Sequence, residues 1–198
     1  MATKGEQTRD KIIRRAAAAF NRSGFSGTSM SDLMRETGLE KGGLYNHFPS
    51  KEALALEAFE FARGRIARRL EPEFKIVRNA ADRLIAFAEV FVELIHDDEV
   101  PGGCAVFNTA VEADDGNPVL RAKAQAGMDE FIATVRRIID KGIARGEIKP
   151  GVDSAYEATI FVALMEGSLV MSRLYDDPAH VQRAVAHIRE RVETVLRA

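Results

Sequence analysis

Residues 28–51 read TSMSDLMRETGLEKGGLYNHFPSK, and the order of capping, apolar and breaking residues in this stretch decides the fold. Ser29 can accept from the backbone N–H three residues on while Asp32 returns the bond, a variant of the capping box that opens a helix. Gly38 ends that helix, because glycine enters left-handed backbone without a Cβ penalty. Lys41–Phe48 follows as a short helix, broken by Pro49-Ser50, and Ser50 then caps a longer one reaching about Leu70 and stopped before Pro72. Upstream, an amphipathic helix from about Thr8 to Ser23 carries Ile12, Ile13, Ala16, Ala17 and Phe20 on one stripe. It ends at Ser23-Gly24, and Phe25 packs back. Leu33, Met34, Leu39, Leu44 and Phe48 are spaced to close a small core against Phe20 and Ile13. Such a helix–turn–helix leaves its second helix outward, able to enter a major groove. The outward positions would be Lys41, Gly42, Gly43, Tyr45, Asn46 and His47, rich in donors and poor in acids.

Helical periodicity continues to the end of the chain, with no sustained strand alternation. Asn79 with Asp82 opens a helix through His96. Cys104–Ala113 is a short helix ended by Asp114-Asp115-Gly116. Asn117-Pro118 and Asp177-Pro178 are cap-then-proline starts, and Asp153 begins the helix between Gly151 and Tyr175. Nine helices result, an all-α chain. The 198 residues are 46% hydrophobic and 29% charged, which suits a globular protein rather than a disordered one. One cysteine excludes an internal disulfide and a cysteine-rich zinc site. Met1–Asp10 is polar, and no apolar run is long enough for a membrane span, so a cytoplasmic protein without membrane contact is expected. Net charge is −2, yet residues 1–51 hold nine Lys or Arg against five Asp or Glu, and the remainder nineteen against twenty-five. A basic head on an acidic body fits a protein that meets a polyanion with one end.

Over about Thr8–Leu56 the sequence resembles the tetracycline-repressor (TetR) family. The apolar first helix, the capped second helix, the glycine turn and Lys41-Gly42-Gly43-Leu44-Tyr45-Asn46-His47-Phe48 before Ser50-Lys51 carry the resemblance. It implies a DNA-binding domain at 1–51 and a ligand-binding, dimerising domain at 52–198, acting together as a transcriptional repressor that releases its operator when a small, mostly hydrophobic molecule binds. With no Ser-His-Asp, glycine-rich phosphate loop or paired-carboxylate signature, no enzyme is expected. By the same resemblance, Thr28, Ser29, Tyr45, His47 and Lys51 would hold phosphates, fixing position rather than sequence. Lys41, Gly42, Gly43 and Asn46 would lie where base edges are read. Gly42 and Gly43 offer no side chains, so backbone approach or DNA shape must supply part of the specificity. The expected partners are a palindromic operator duplex, a small-molecule inducer and a second copy of the chain.

In the body, Ile160, Leu164, Gly167, Met171 and Leu174 form one apolar stripe, and Val181, Val185, Ile188, Val192 and Val195 another. Two such helices from each subunit can make a four-helix interface, or the stripes can belong to the chain's own core. Phe87, Phe91, Phe107, Met128, Phe131, Phe161 and Met165 would line a mostly hydrophobic pocket, with Asn108, Glu166 and Tyr175 as polar anchors. Cys104, after Gly102-Gly103 and before a helix, reads either as a redox- or electrophile-sensing thiol of that ligand region or as a small buried hydrophobe. His96, Asp97 and Glu99, or Glu112, Asp114 and Asp115, lack the spacing of a metal site, so no metal or other cofactor is expected. A helical adaptor that binds proteins instead of DNA is the rival reading, and it predicts no salt-sensitive DNA association.

Overall fold

The computed structural model describes residues 3–113 and 116–198. Among these, nine α-helices form: α1 (Lys4–Gly27), α2 (Met30–Thr37), α3 (Lys41–Tyr45), α4 (Lys51–Ile76), α5 (Ala80–Glu93), α6 (Ala105–Ala113), α7 (Pro118–Ala144), α8 (Ser154–Leu174) and α9 (Ala179–Arg191). A 3-10 turn, Leu94–His96, follows α5, and a single wide π turn, Val192–Leu196, follows α9. The only extended pairing among the described residues is an isolated bridge between Ile148 and Arg197, so the chain is all-α. The Asp114-Asp115 stop expected after α6 lies outside the described residues.

Most helix starts sit on the side chains that nominate them. Asn79 accepts from Ala81 and Asp82 N–H, Asp153 from Ala155 and Tyr156 N–H, and Asn117 from Leu120 N–H. α1 resumes past the expected stop at Gly24 to reach Gly27, α5 gives way to the 3-10 turn after Glu93, and three further ends differ for a visible reason. α1 begins four residues early because Thr3 and Glu6 make a complete capping box. α3 stops at Tyr45 rather than Phe48: the N–H groups of His47 and Phe48 both turn back to the Leu44 carbonyl, and Pro49 holds its predecessor out of helical backbone. α4 does not stop before Pro72 but runs through it to Ile76. There Arg83 supplies donors to the last carbonyls, Phe74 at 2.7 Å and Val77 at 2.8 Å, with its guanidinium 5.1 Å above the Phe74 ring.

The chain packs as two compact units, Met1–Arg65 with Asp97–Gln125, and Ile66–His96 with Ala126–Ala198. In the first, Ile12, Ala16, Ala17 and Ala19 of α1 meet Leu33, Leu44, Phe48 and the Leu54–Ala58–Ala62 stripe of α4. Ile13, Phe20, Met34 and Leu39 pack against this core, as the spacing of residues 28–51 anticipates, and Val100 and Ala105 join it from the second half of the chain. In the second unit, α5, α8 and α9 pack on one another around Leu84, Phe87, Phe91, Met165, Leu169 and Val181, each at most 1% exposed.

Candidate nucleic-acid interface

α2 is built almost entirely by its neighbours in sequence. Ser29 Oγ accepts from Asp32 N–H at 3.1 Å, Asp32 accepts from Ser29 N–H at 2.9 Å, and Arg35 reaches Asp32 at 2.6 Å. The Ser29 hydroxyl and N–H, and then Arg35, hold the Asp32 carboxyl down at about 2. Gly38, at φ 71°, donates to the Met34 carbonyl and turns the chain into α3.

That turn leaves the first unit with one polar, outward face. Ser29, Lys41, Gly42, Tyr45 and Asn46 are exposed, and Gly43, His47 and Lys51 are half-buried. The Lys41 ammonium lies 5.9 Å from the Tyr45 ring centroid, and the Lys51 ammonium 4.2 Å from that of Phe25. Leu44 and Phe48, on the other side of α3, are buried. Thr28, expected among the residues that hold phosphate, has its side chain turned inward. It is 1% exposed and donates its hydroxyl to the Gly24 carbonyl at 2.6 Å, so only its backbone can face a ligand.

A basic-edged helix presented outward by a glycine-turned pair is the geometry that docks in a DNA groove. Comparison with known proteins agrees. Residues 12–58 match the family described as bacterial regulatory proteins, tetR family, and residues 80–188, more than half the chain, match the tetracyclin repressor-like C-terminal domain. The chain belongs to the tetR family of bacterial regulatory proteins. A TetR transcriptional regulator from Chloroflexus aurantiacus J-10-FL is 41% identical with a TM-score of 0.93, each chain covering 98% of the other. A TetR-family regulator from Cytophaga hutchinsonii is 30% identical with a TM-score of 0.88, over 99% of this chain and 98% of that one. The HTH-type transcriptional repressor ComR of Escherichia coli (strain K12) is 28% identical over 83% of this chain and 79% of its own length. The chain is therefore a DNA-binding transcriptional regulator, and no helix among its described residues is long and apolar enough to cross a membrane.

In this TetR-family regulator the residues expected to line a ligand pocket fall into both units. In the second, the Phe87 and Phe91 centroids lie 6.1 Å apart, Phe161 meets Phe87 edge-on at 5.5 Å, and Phe131 meets Phe91 edge-on at 6.4 Å. Met165 and Glu166 are buried beside them in sequence on α8, while Met128 is half-buried on α7. The same unit holds a narrow, partly open cleft lined by Leu84, Val135, Ile139, Phe161, Ile188 and Val192, together with Glu157, His187 and Arg191. Phe161 is the one expected pocket residue on that wall. Tyr175 is exposed and lies against the His180 ring.

Cys104, Phe107 and Asn108 belong instead to the first unit. Cys104 is 4% exposed at the head of α6, and Phe107 is half-buried. Asn108 donates to Gly102 O at 2.7 Å and to Asn21 Oδ1 at 3.0 Å. Asn21 and Arg65, which sequence reasoning passes over, and Asp97 and Glu112, which it weighs only as metal ligands, tie this region together. The signals available were a polar Asn21 set against an alanine stripe and a glycine pair at 102–103. No group of three or more metal-ligating side chains occurs among the described residues, and Asp97 instead faces Arg65 at 2.5 Å.

The two apolar stripes also separate. On α9 and the turn after it, Val181, Val185, Ile188 and Val192 are buried in the chain's own core, the second of the two readings open for this stripe, while Val195 is exposed. On α8, Tyr156, Ile160, Val170, Met171 and Leu174 are exposed, with Ala163 and Gly167 between them.

Proposed function

We propose that this regulator is a repressor that grips a palindromic operator as a homodimer and leaves it when a small, mostly apolar molecule binds. The glycine pair of α3 carries the reading. A Cβ at Gly42 would meet nothing within 4 Å, and one at Gly43 only Leu39 at ordinary contact distance, 3.6 Å. Neither residue adopts the left-handed backbone that would require glycine. Each nevertheless costs a helix about 1 kcal/mol against alanine. A duplex pressed against the backbone of α3 accounts for side chains missing where the fold has room for them. Lys41, Gly42, Gly43 and Asn46 then face base edges, and Ser29, Tyr45, His47, Lys51 and the Thr28 backbone hold phosphates. The name of the Escherichia coli relative supports repression.

The division of labour is drawn at residue 51, with DNA reading before it and inducer binding and dimerisation after. The exposed α8 stripe, opened by Ala163 and Gly167, offers a self-complementary surface to a second copy. The ring cluster of Phe87, Phe91, Phe131 and Phe161, with Met128 and Met165, favours an aromatic or aliphatic inducer. A site of action in the cytoplasm goes with this role.

The test takes the full-length protein and a labelled duplex enriched from a random pool by the wild type. Gly42→Ala should raise the melting temperature, by up to about 1 kcal/mol of stability, and weaken binding to the enriched duplex. Equal affinity in the variant removes the close-approach argument. Absence of any salt-dependent enrichment removes the DNA reading altogether.

A further inference from the structure

We propose that α6 positions Lys51 for the DNA backbone through a latch made by Asn108 and Glu112, acting by way of Phe25; this rests on the DNA-binding reading above. Asn108 and Glu112 stand one helical turn apart on α6 and both engage the far end of α1. Asn108 donates to the Asn21 carbonyl at 3.3 Å, to Asn21 Oδ1 at 3.0 Å and to Gly102 O at 2.7 Å. Asn21 in turn donates to the carbonyls of Pro101 and Gly103.

Glu112 does something more unusual. α1 breaks at Gly24, where φ is 76° and ψ 167°, so the N–H groups that follow are without the usual acceptor one turn back. Glu112 supplies it from 86–87 residues away: Oε2 accepts from Phe25 N–H and Oε1 from Ser26 N–H, each at 2.7 Å. The fit depends on a bare position 24, since a Cβ there would lie 2.7 Å from Glu112 Oε2. The last turn of α1 is thus capped by α6 rather than by its own residues.

Phe25 is the residue so fixed, and its ring meets Phe20 and Lys51. It stacks on Phe20 at 6.0 Å, and the Lys51 ammonium rests over it at 4.2 Å. A ring occupies one side of an ammonium group and leaves its N–H donors pointing away, available to a phosphate. Displacing α6 would release Phe25, and with it the seat of Lys51. Phe25 and Glu112 are in this sense positioning residues, and Lys51 is the one that would touch DNA.

The experiment measures affinity for the duplex enriched by the wild-type protein at several salt concentrations. Glu112→Gln keeps one acceptor but places an N–H₂ against a backbone N–H. It should bind roughly tenfold more weakly, as expected for losing charge-assisted contacts in a dimer. The slope of log affinity against log salt should fall by about one for each head, which a general loss of stability would not produce. Lys51→Ala should do the same, and the double variant should be no weaker than Lys51→Ala alone. Phe25→Leu should follow Glu112→Gln, whereas Phe25→Tyr, which keeps the ring, should behave as wild type. This aromatic pair carries the test if Glu112→Gln does not fold. Full affinity and an unchanged slope in Glu112→Gln or Phe25→Leu, or additive losses in the double variant, would overturn the latch while leaving DNA binding intact. A wild-type protein that enriches no duplex would overturn both.

Discussion

α2 and α6 are helices of nearly equal length, eight and nine residues, each docked on α1, yet they are held in opposite ways. α2 carries its own fastenings. Ser29, Asp32 and Gly38 close both ends within ten residues of chain, and its bonds would form wherever the segment went. α6 is fastened by Asn21, Phe25, Ser26 and Gly102, mostly across more than eighty residues of sequence. The loop before it is tied in the same manner. Asp97 accepts the Glu99 and Val100 N–H groups with one oxygen and faces Arg65 of α4 with the other, and Arg14 of α1 pairs with Glu99. A locally fastened helix stays intact when its surroundings shift. A remotely fastened one moves as a body, carrying whatever it grips. The helix that supports α3 benefits from the first property and a transmitting helix from the second.

The remote fastening of α6 and its loop is most vulnerable at Arg65. Its guanidinium and the Asp97 carboxylate are both buried, with side chains 9% and 2% exposed. Arg65→Met takes away one member of a buried ion pair, a change that costs about 3 kcal/mol. Urea denaturation should show that loss in the first unit, together with faster amide exchange along 97–113, while α2 amides keep their relative protection. Next comes Gly102→Ala. Gly102 sits at φ 122°, and an added Cβ would lie 2.4 Å from the Asn21 carbonyl oxygen. The backbone must shift, at a cost of about 2 kcal/mol. The same exchange measurement should find α6 loosened from α1. A Gly102→Ala protein as stable as wild type would mean the loop is not held by Asn21.

These two helices also mark where sequence is informative. Ser29, Asp32, Gly38 and Pro49 act over distances the chain itself sets, so the helix–turn–helix and its core could be read directly. Glu112 reads as one acid in a solvated run because nothing near it in sequence announces the unpartnered N–H groups at Phe25 and Ser26. Pro72 reads as a stop for the same reason, since Arg83, which satisfies the carbonyls beyond it, is supplied after the following turn. Apolar periodicity shows that α8 and α9 each have a stripe but not which one the chain keeps. α9 buries its stripe and α8 leaves its own exposed. Asn108 looks like a pocket anchor on a helix with no visible partner, until α1 brings Asn21 beside it.

A smaller effect tests the local side. Ser29→Ala removes the cap of α2, a substitution that costs about 1 kcal/mol. If α2 is fastened by its own residues, fraying should be confined to its first turn and leave α6 exchange unchanged. Loosening of α6 in this variant would dissolve the distinction between the two helices.

Acid should erase the remaining difference between wild type and Ser29→Ala. The Asp32 carboxyl, ordinarily at 3.8, is held at about 2 in the folded chain, first by the Ser29 hydroxyl, then by the Ser29 N–H and Arg35. Because the folded value lies below the unfolded one, the contribution of the ionised cap is complete at neutral pH. It fades as pH falls from the ordinary carboxylate range through about 2. The gap in stability between the two proteins should therefore be constant from neutral pH down to roughly pH 5 and narrow below it. A gap that instead stayed unchanged in acid would assign the cap to the neutral hydroxyl alone, with Asp32 playing no part in starting the helix.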